Sequence, residues 1–179
     1  MRKVLSLLFV SVLCLGLLSG CASTEIITYQ RTEALTIQGK NNEESTIPYN
    51  ETMTVTKKGS KAIGGSDSIV YHLNDKYFEK NEDAKDELLR NLASGLLQTY
   101  QDENTEAVTV ETSVSGDNNE ELHALVKVDF KKLKTLNECV ALFGLTEEDF
   151  NSSQEASFDT VDTIMTNSGF EKTKTVSEE

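Results

Sequence analysis

The spacing of apolar and polar residues changes several times along the chain, and each spacing predicts a different element. An apolar run from Val4 to Leu18 follows the basic start Met1-Arg2-Lys3. Ile26, Ile27, Tyr29, Leu35 and Ile37 then lie in an extended stretch rich in Thr and Tyr, which favours a strand. After the turn Gly39-Lys40-Asn41-Asn42, Ile47, Tyr49, Met53 and Val55 fall on alternate positions between Thr46 and Lys57, the period of a half-buried antiparallel strand. Lys57-Lys58-Gly59-Ser60 reads as a turn and Gly64-Gly65-Ser66-Asp67 as a loop. Ser68 to Leu73, containing Ile69-Val70-Tyr71, reads as a third strand, so the opening half is a meander.

The period then becomes helical. Asn81-Glu82-Asp83 supplies a cap and acids for a long helix reaching Tyr100, with Leu88, Leu89, Leu92, Leu96 and Tyr100 on one stripe. Gly95 inside that helix costs about 1 kcal/mol relative to alanine, which points to close approach of another backbone. Ala107 to Ser115 and Leu122 to Phe130 form a hairpin around Gly116-Asp117-Asn118-Asn119. Leu136, Cys139, Val140 and Phe143 make a short helical stripe ending at Gly144, and Thr146-Glu147-Glu148-Asp149 opens a further helical turn. Phe158, Val161, Ile164 and Met165 repeat at helical spacing before Gly169, and Lys172 to Val176 suits an edge strand. The fold class is α+β: an antiparallel sheet of a three-strand meander and a hairpin, with a long helix and short helices packed on one face.

The first segment carries an address. The run from Val4 to Leu18 is shorter than the ~20 residues that cross a bilayer, and it ends in Leu18-Ser19-Gly20-Cys21. A basic start, an apolar stretch and small residues before a cleavage point make a secretory signal peptide. A cysteine directly after the cut is the acceptor for a lipoprotein's diacylglycerol and acyl groups such as palmitate. Residues 1–20 are thus read as a lipoprotein signal peptide, 21–28 as a lipid-anchored tether and 29–179 as a single α+β domain. Localisation follows as the extracytoplasmic side of a cell membrane, with the membrane reached through the lipid on Cys21.

Loss of Arg2 and Lys3 with the signal peptide takes the formal net charge from −13 to −15. Such a surface is repelled by nucleic acid phosphates and by anionic headgroups, so no nucleic-acid partner is expected and the lipid does the holding. Cys14 is discarded and Cys21 acylated, leaving Cys139 alone in the mature domain, on an apolar stripe where a small buried hydrophobe is expected.

Candidate chemistry is sparse. His72 and His123 stand in strands, and neither has a second His or Cys at a metal-ligand spacing, so no metal site, cofactor or catalytic residue is assigned. Gly116 to Glu121 lacks the register of a calcium loop, and no Gly-x-Ser-x-Gly elbow occurs. Tyr29, Tyr49, Tyr71 and His72 are the candidate ligand face, expected on the side of the sheet not covered by helices.

Taken in order, Cys21, the Thr46-Ile47-Pro48-Tyr49 segment, the helix through Leu88 and Leu96, the Val126-Lys127-Val128-Asp129 strand and the closing Ser168-Gly169-Phe170 resemble the YehR-like family of small bacterial lipoproteins. The resemblance implies an antiparallel α+β domain on a lipid anchor, in a family of uncharacterised function. Residues 137–155 depart from it as an acidic stretch. The expected function is a membrane-tethered, non-enzymatic extracytoplasmic domain that binds or senses an unknown envelope ligand or protein. A small envelope hydrolase or metal-dependent enzyme requires His72 or His123 to meet two acids in a pocket. An accessory subunit of an envelope complex requires a large apolar patch.

Overall fold

The computed structural model describes residues 23–38, 44–73, 106–115, 121–133 and 142–178, with positions 87, 90, 91, 94 and 95 between them. Among these residues seven strands form one antiparallel sheet: β1 (Thr24–Gln38), β2 (Glu44–Lys58), β3 (Lys61–His72), β4 (Val108–Ser115), β5 (Glu121–Asp129), β6 (Ala156–Ser157) and β7 (Glu171–Glu178). Their order is β4-β5-β3-β2-β1-β7, with the two-residue β6 paired to the start of β3. The meander and the hairpin are both present, and β7 takes the edge beside β1. The fold is a sheet-dominated α+β domain.

Side-chain alternation gives the sheet two unlike faces. Ile27 and Tyr29 on β1, Met53 and Val55 on β2, Val126 and Val128 on β5 and Val108 and Val110 on β4 are all buried on one side. Residues between them, such as Thr54 and Ser66, whose hydroxyls meet at 2.7 Å, are polar and form the other side. The helix α1 (Phe158–Asn167) packs on the apolar side through Phe158, Val161 and Met165, whose spacing of three and four makes one stripe. Its start is tied to the β2–β3 turn by the Phe158 amide, which donates to Ser60 O at 3.0 Å. Its end is a glycine cap. Gly169 has φ +82, and the Phe170 amide reaches back to Met165 O at 3.1 Å. Phe130, Phe143 and Phe150 complete the core by edge-on contacts, with centroids 5.4 and 5.3 Å apart.

Several expectations are corrected. β1 begins at Thr24, paired with both Lys58 and Glu178, so residues 24–28 belong to the sheet and not to a tether. Gly64-Gly65-Ser66-Asp67 is not a loop but the middle of β3. A Cβ on Gly64 would lie 2.6 Å from Val128 O, and one on Gly65 would lie 2.3 Å from Thr54 O and 2.9 Å from the Phe143 ring. Close packing, not a turn, explains those glycines. The helical turn expected after Thr146, by contrast, is present as a 3₁₀ turn, with the Thr146 amide and hydroxyl donating to Asp149 Oδ2 at 2.7 and 2.9 Å.

Only five positions of the expected long helix are described. Glu87, Arg90, Asn91, Ser94 and Gly95 are helical and exposed, at the spacing of a polar face, and no described atom lies within 4 Å of a Cβ built on Gly95. The expected close approach at Gly95 is therefore not found among the described residues. Leu88, Leu89, Leu92, Leu96, Tyr100, Leu136, Cys139 and Val140 lie outside the described residues, as does Cys21. Among the described residues no helix is long and apolar enough to cross a membrane.

Candidate functional site

The central strands carry acids where the alternation calls for apolar residues. Glu51 follows the buried phase of β2 and Asp67 that of β3, and they are 6% and 2% exposed. Around them the sheet is indented by an open groove of about 250 Å³. Arg31, Glu51, Asp67 and Ile69 line it with Tyr49, Tyr71, Leu35 and Leu142. Pairing across the meander brings these residues together, because Arg31 opposes Glu51, Glu51 opposes Ile69 and Tyr49 opposes Tyr71.

The two buried acids have different partners. Arg31 Nε donates to Glu51 Oε2 at 2.6 Å, and its Nη1 donates to Glu33 Oε1 at 3.0 Å and to Ser168 O at 3.1 Å. The same guanidinium lies over Phe170, 4.4 Å from the ring centroid, so Arg31 is held by β1, β2 and the end of α1 together. Asp67 Oδ1 has no hydrogen-bond partner among the described residues. Burial, reinforced by the Glu51 charge, pushes its carboxyl up to about 7, against a smaller opposing pull from Arg31.

Tyr49 and Tyr71 form the aromatic wall, with centroids 5.4 Å apart and planes tilted by 45°. The Tyr49 hydroxyl donates to Glu33 Oε2 at 2.9 Å, and burial together with that carboxylate pushes its ionisation up to about 12. Burial also raises the Tyr71 hydroxyl, as does Asp67. Both phenols are therefore neutral at physiological pH. The groove thus combines an aromatic wall, apolar sides at Leu35, Ile69 and Leu142, and an acidic floor.

The four residues of the expected ligand face do not lie together. Tyr49 and Tyr71 line the groove, but on the side of the sheet that carries α1, not on a side free of helices as expected. Tyr29 shares that side yet is wholly buried, its hydroxyl donating to Asp162 Oδ1 of α1 at 2.5 Å. His72 points the opposite way, as the residue next to Tyr71 in a strand must.

On that opposite face His72 and His123 flank a single acid. Glu121 Oε1 lies 3.5 Å from His72 Nδ1, and Glu121 Oε2 lies 3.3 Å from His123 Nε2. Asn50 Nδ2 donates to His72 Nε2 at 2.9 Å, and the Ser115 hydroxyl donates to Glu121 Oε2 at 3.0 Å. That hydroxyl and then His123 hold Glu121 below the usual carboxylate range. Neither imidazole lines the groove, and no group of three or more His, Cys, Asp and Glu among the described residues could hold a metal ion. Exposed large apolar side chains among the described residues are Leu35, Val114 and Val176, each on a different strand.

No protein-family model and no curated protein matches the sequence. Among solved structures, the chain is similar to the NMR structure of a protein from Streptococcus pneumoniae TIGR4, at 13% identity and a TM-score of 0.43. The likeness covers 97% of this chain and 96% of that one, and at that score it carries no argument about function.

Proposed function

We propose that this chain is a YehR-like, lipid-anchored extracytoplasmic binding domain, acylated at Cys21, whose ligand site is the groove between Arg31, Asp67 and the Tyr49–Tyr71 pair. In this reading the long helix expected over 81–100 joins α1 on the grooved side of the sheet. The observation that carries the binding site is Asp67: a carboxyl 2% exposed, with an oxygen unpartnered among the described residues, lining an open groove. A buried polar group without a partner costs about 1–3 kcal/mol, a cost that a ligand donor would relieve.

The start of β1 supports the tethered arrangement. Only Ala22 and Ser23 separate the acylated Cys21 from Thr24, a reach of roughly 10 Å at full extension. Arg31 lies seven positions further along β1, roughly 23 Å at a strand's rise. A short link of this kind holds one end of the sheet at the bilayer and the groove away from it. Lys57, Lys58 and Lys61 gather at the anchored end, where Lys58 pairs with Thr24 and Lys57 Nζ is 3.2 Å from Glu25. That end meets an anionic surface with less repulsion than the acidic remainder.

Two measurements test the two halves. Membrane fractionation of Cys21→Ser is expected to move the protein into the soluble fraction, and continued tight membrane association would overturn the anchor. A thermal-shift screen of small molecules is expected to yield compounds that stabilise the full chain but not Tyr71→Leu. Compounds that stabilise both equally would place binding outside the groove.

A further inference from the structure

The chemistry of the groove points to the class of its ligand, on the reading that the groove is a binding site. We propose that it takes a small organic cation, a primary ammonium on an apolar or aromatic body, with Asp67 as counter-ion and Tyr49 and Tyr71 as the walls beside it.

Charge is the first reason. Among the described residues, the cation that lines the groove is Arg31, already engaged by Glu51 at 2.6 Å and by Glu33 at 3.0 Å. Asp67 is then an additional acid with no base of its own among the described residues, and an anionic ligand would be repelled by Glu33, Glu51 and Asp67 together. Shape and surface are the second reason. A cavity of about 250 Å³ suits a compact molecule, and Leu35, Ile69 and Leu142 offer its body apolar contact. Tyrosine faces attract ammonium groups, and Tyr49 is held in place by its bond to Glu33.

A proton and the cation compete for the same carboxylate. The groups facing Asp67 among the described residues are Glu51 on β2, Arg31 on β1 and Tyr71 on β3, while β5 presents the apolar Val126 and Ala124. Neither Arg31 nor Tyr71 changes charge near neutrality, so Asp67 sets the pH dependence. With its carboxyl near 7, cation affinity rises with pH through neutrality and levels off above it.

The test uses the full-length protein in an uncharged detergent, with phenethylammonium, phenethyl alcohol and 3-phenylpropionate as probes. Side-chain NMR signals of Tyr49, Tyr71 and Ile69 report on the groove. Phenethylammonium is expected to shift them saturably, binding about tenfold more tightly at pH 8 than at pH 6. Asp67→Asn should weaken it at least tenfold at pH 8 and abolish the pH dependence. Tyr71→Leu should weaken the ammonium more than the alcohol. If the alcohol or the propionate binds as well as the ammonium, or if affinity is flat with pH, the groove is a site but the cation assignment is overturned. If no probe moves a groove signal, the groove itself fails as a small-molecule site. Should Asp67→Asn not fold, the pH dependence of the wild-type protein decides.

Discussion

Arg31 and Glu51, on adjacent strands and directly opposed, form a 2.6 Å ion pair in which the carboxylate is almost wholly removed from water. Such a pair contributes little net stability, but losing one member is costly because the other is left charged and buried. Arg31→Met is therefore expected to destabilise the fold by about 3 kcal/mol. Arg31→Lys should recover only part of this, since lysine cannot reproduce the Nε bond to Glu51, the Nη1 bond to Ser168 and the stacking on Phe170 together. Urea unfolding of the two variants checks both statements, and equal stability of wild type and Arg31→Met would contradict them.

Asp67 makes stability depend on pH in the direction opposite to most carboxylates. Its folded value, near 7, lies above the ordinary 3.8, so the folded state binds the proton more tightly than the unfolded one. The stabilisation is fully present below the unfolded value and is lost as pH rises through the folded value, between about 4 and 7. Asp67→Asn removes this dependence and should raise stability at pH 8 by about 4 kcal/mol, with little effect at pH 4. Unfolding at both pH values reads the difference. A variant less stable than wild type at pH 8 would mean that the carboxylate has a partner.

The glycines separate close packing from open helix. Gly65→Ala places a Cβ against Thr54 O and the Phe143 ring and should cost about 3 kcal/mol, whereas Gly95→Ala should gain about 1 kcal/mol. Melting temperatures of the two variants should move in opposite directions, and a tolerated Gly65→Ala would contradict the packing of β2 on β3.

Much of the sheet is legible in the sequence because its strands alternate and their turns carry Gly, Asn and Lys. β2, the β4–β5 hairpin and α1 with its Gly169 cap all follow from spacing. β3 was legible only in part. Gly64-Gly65 has the composition of a turn, and only the approach of Val128, Thr54 and Phe143 shows why glycine is required within a strand. Asp67 was hidden for the same reason, although Asp67, Ile69 and Tyr71 already alternate. The phase of the tyrosines held a signal that composition obscured. Tyr29, Tyr49 and Tyr71 share the parity of Ile27, Met53 and Ile69, which marks the helix-covered side, while His72 has the other parity and belongs to the opposite face. The Arg31–Glu51 pair depends on the register between β1 and β2, which neither strand specifies alone.

The most direct measurement is a ¹³C NMR titration of the Asp67 carboxyl in the full-length protein, with and without phenethylammonium. A carboxyl held dry and unpartnered in the groove titrates near 7, and the bound cation lowers that value. A carboxyl that titrates near 4 and ignores the cation would contradict the site.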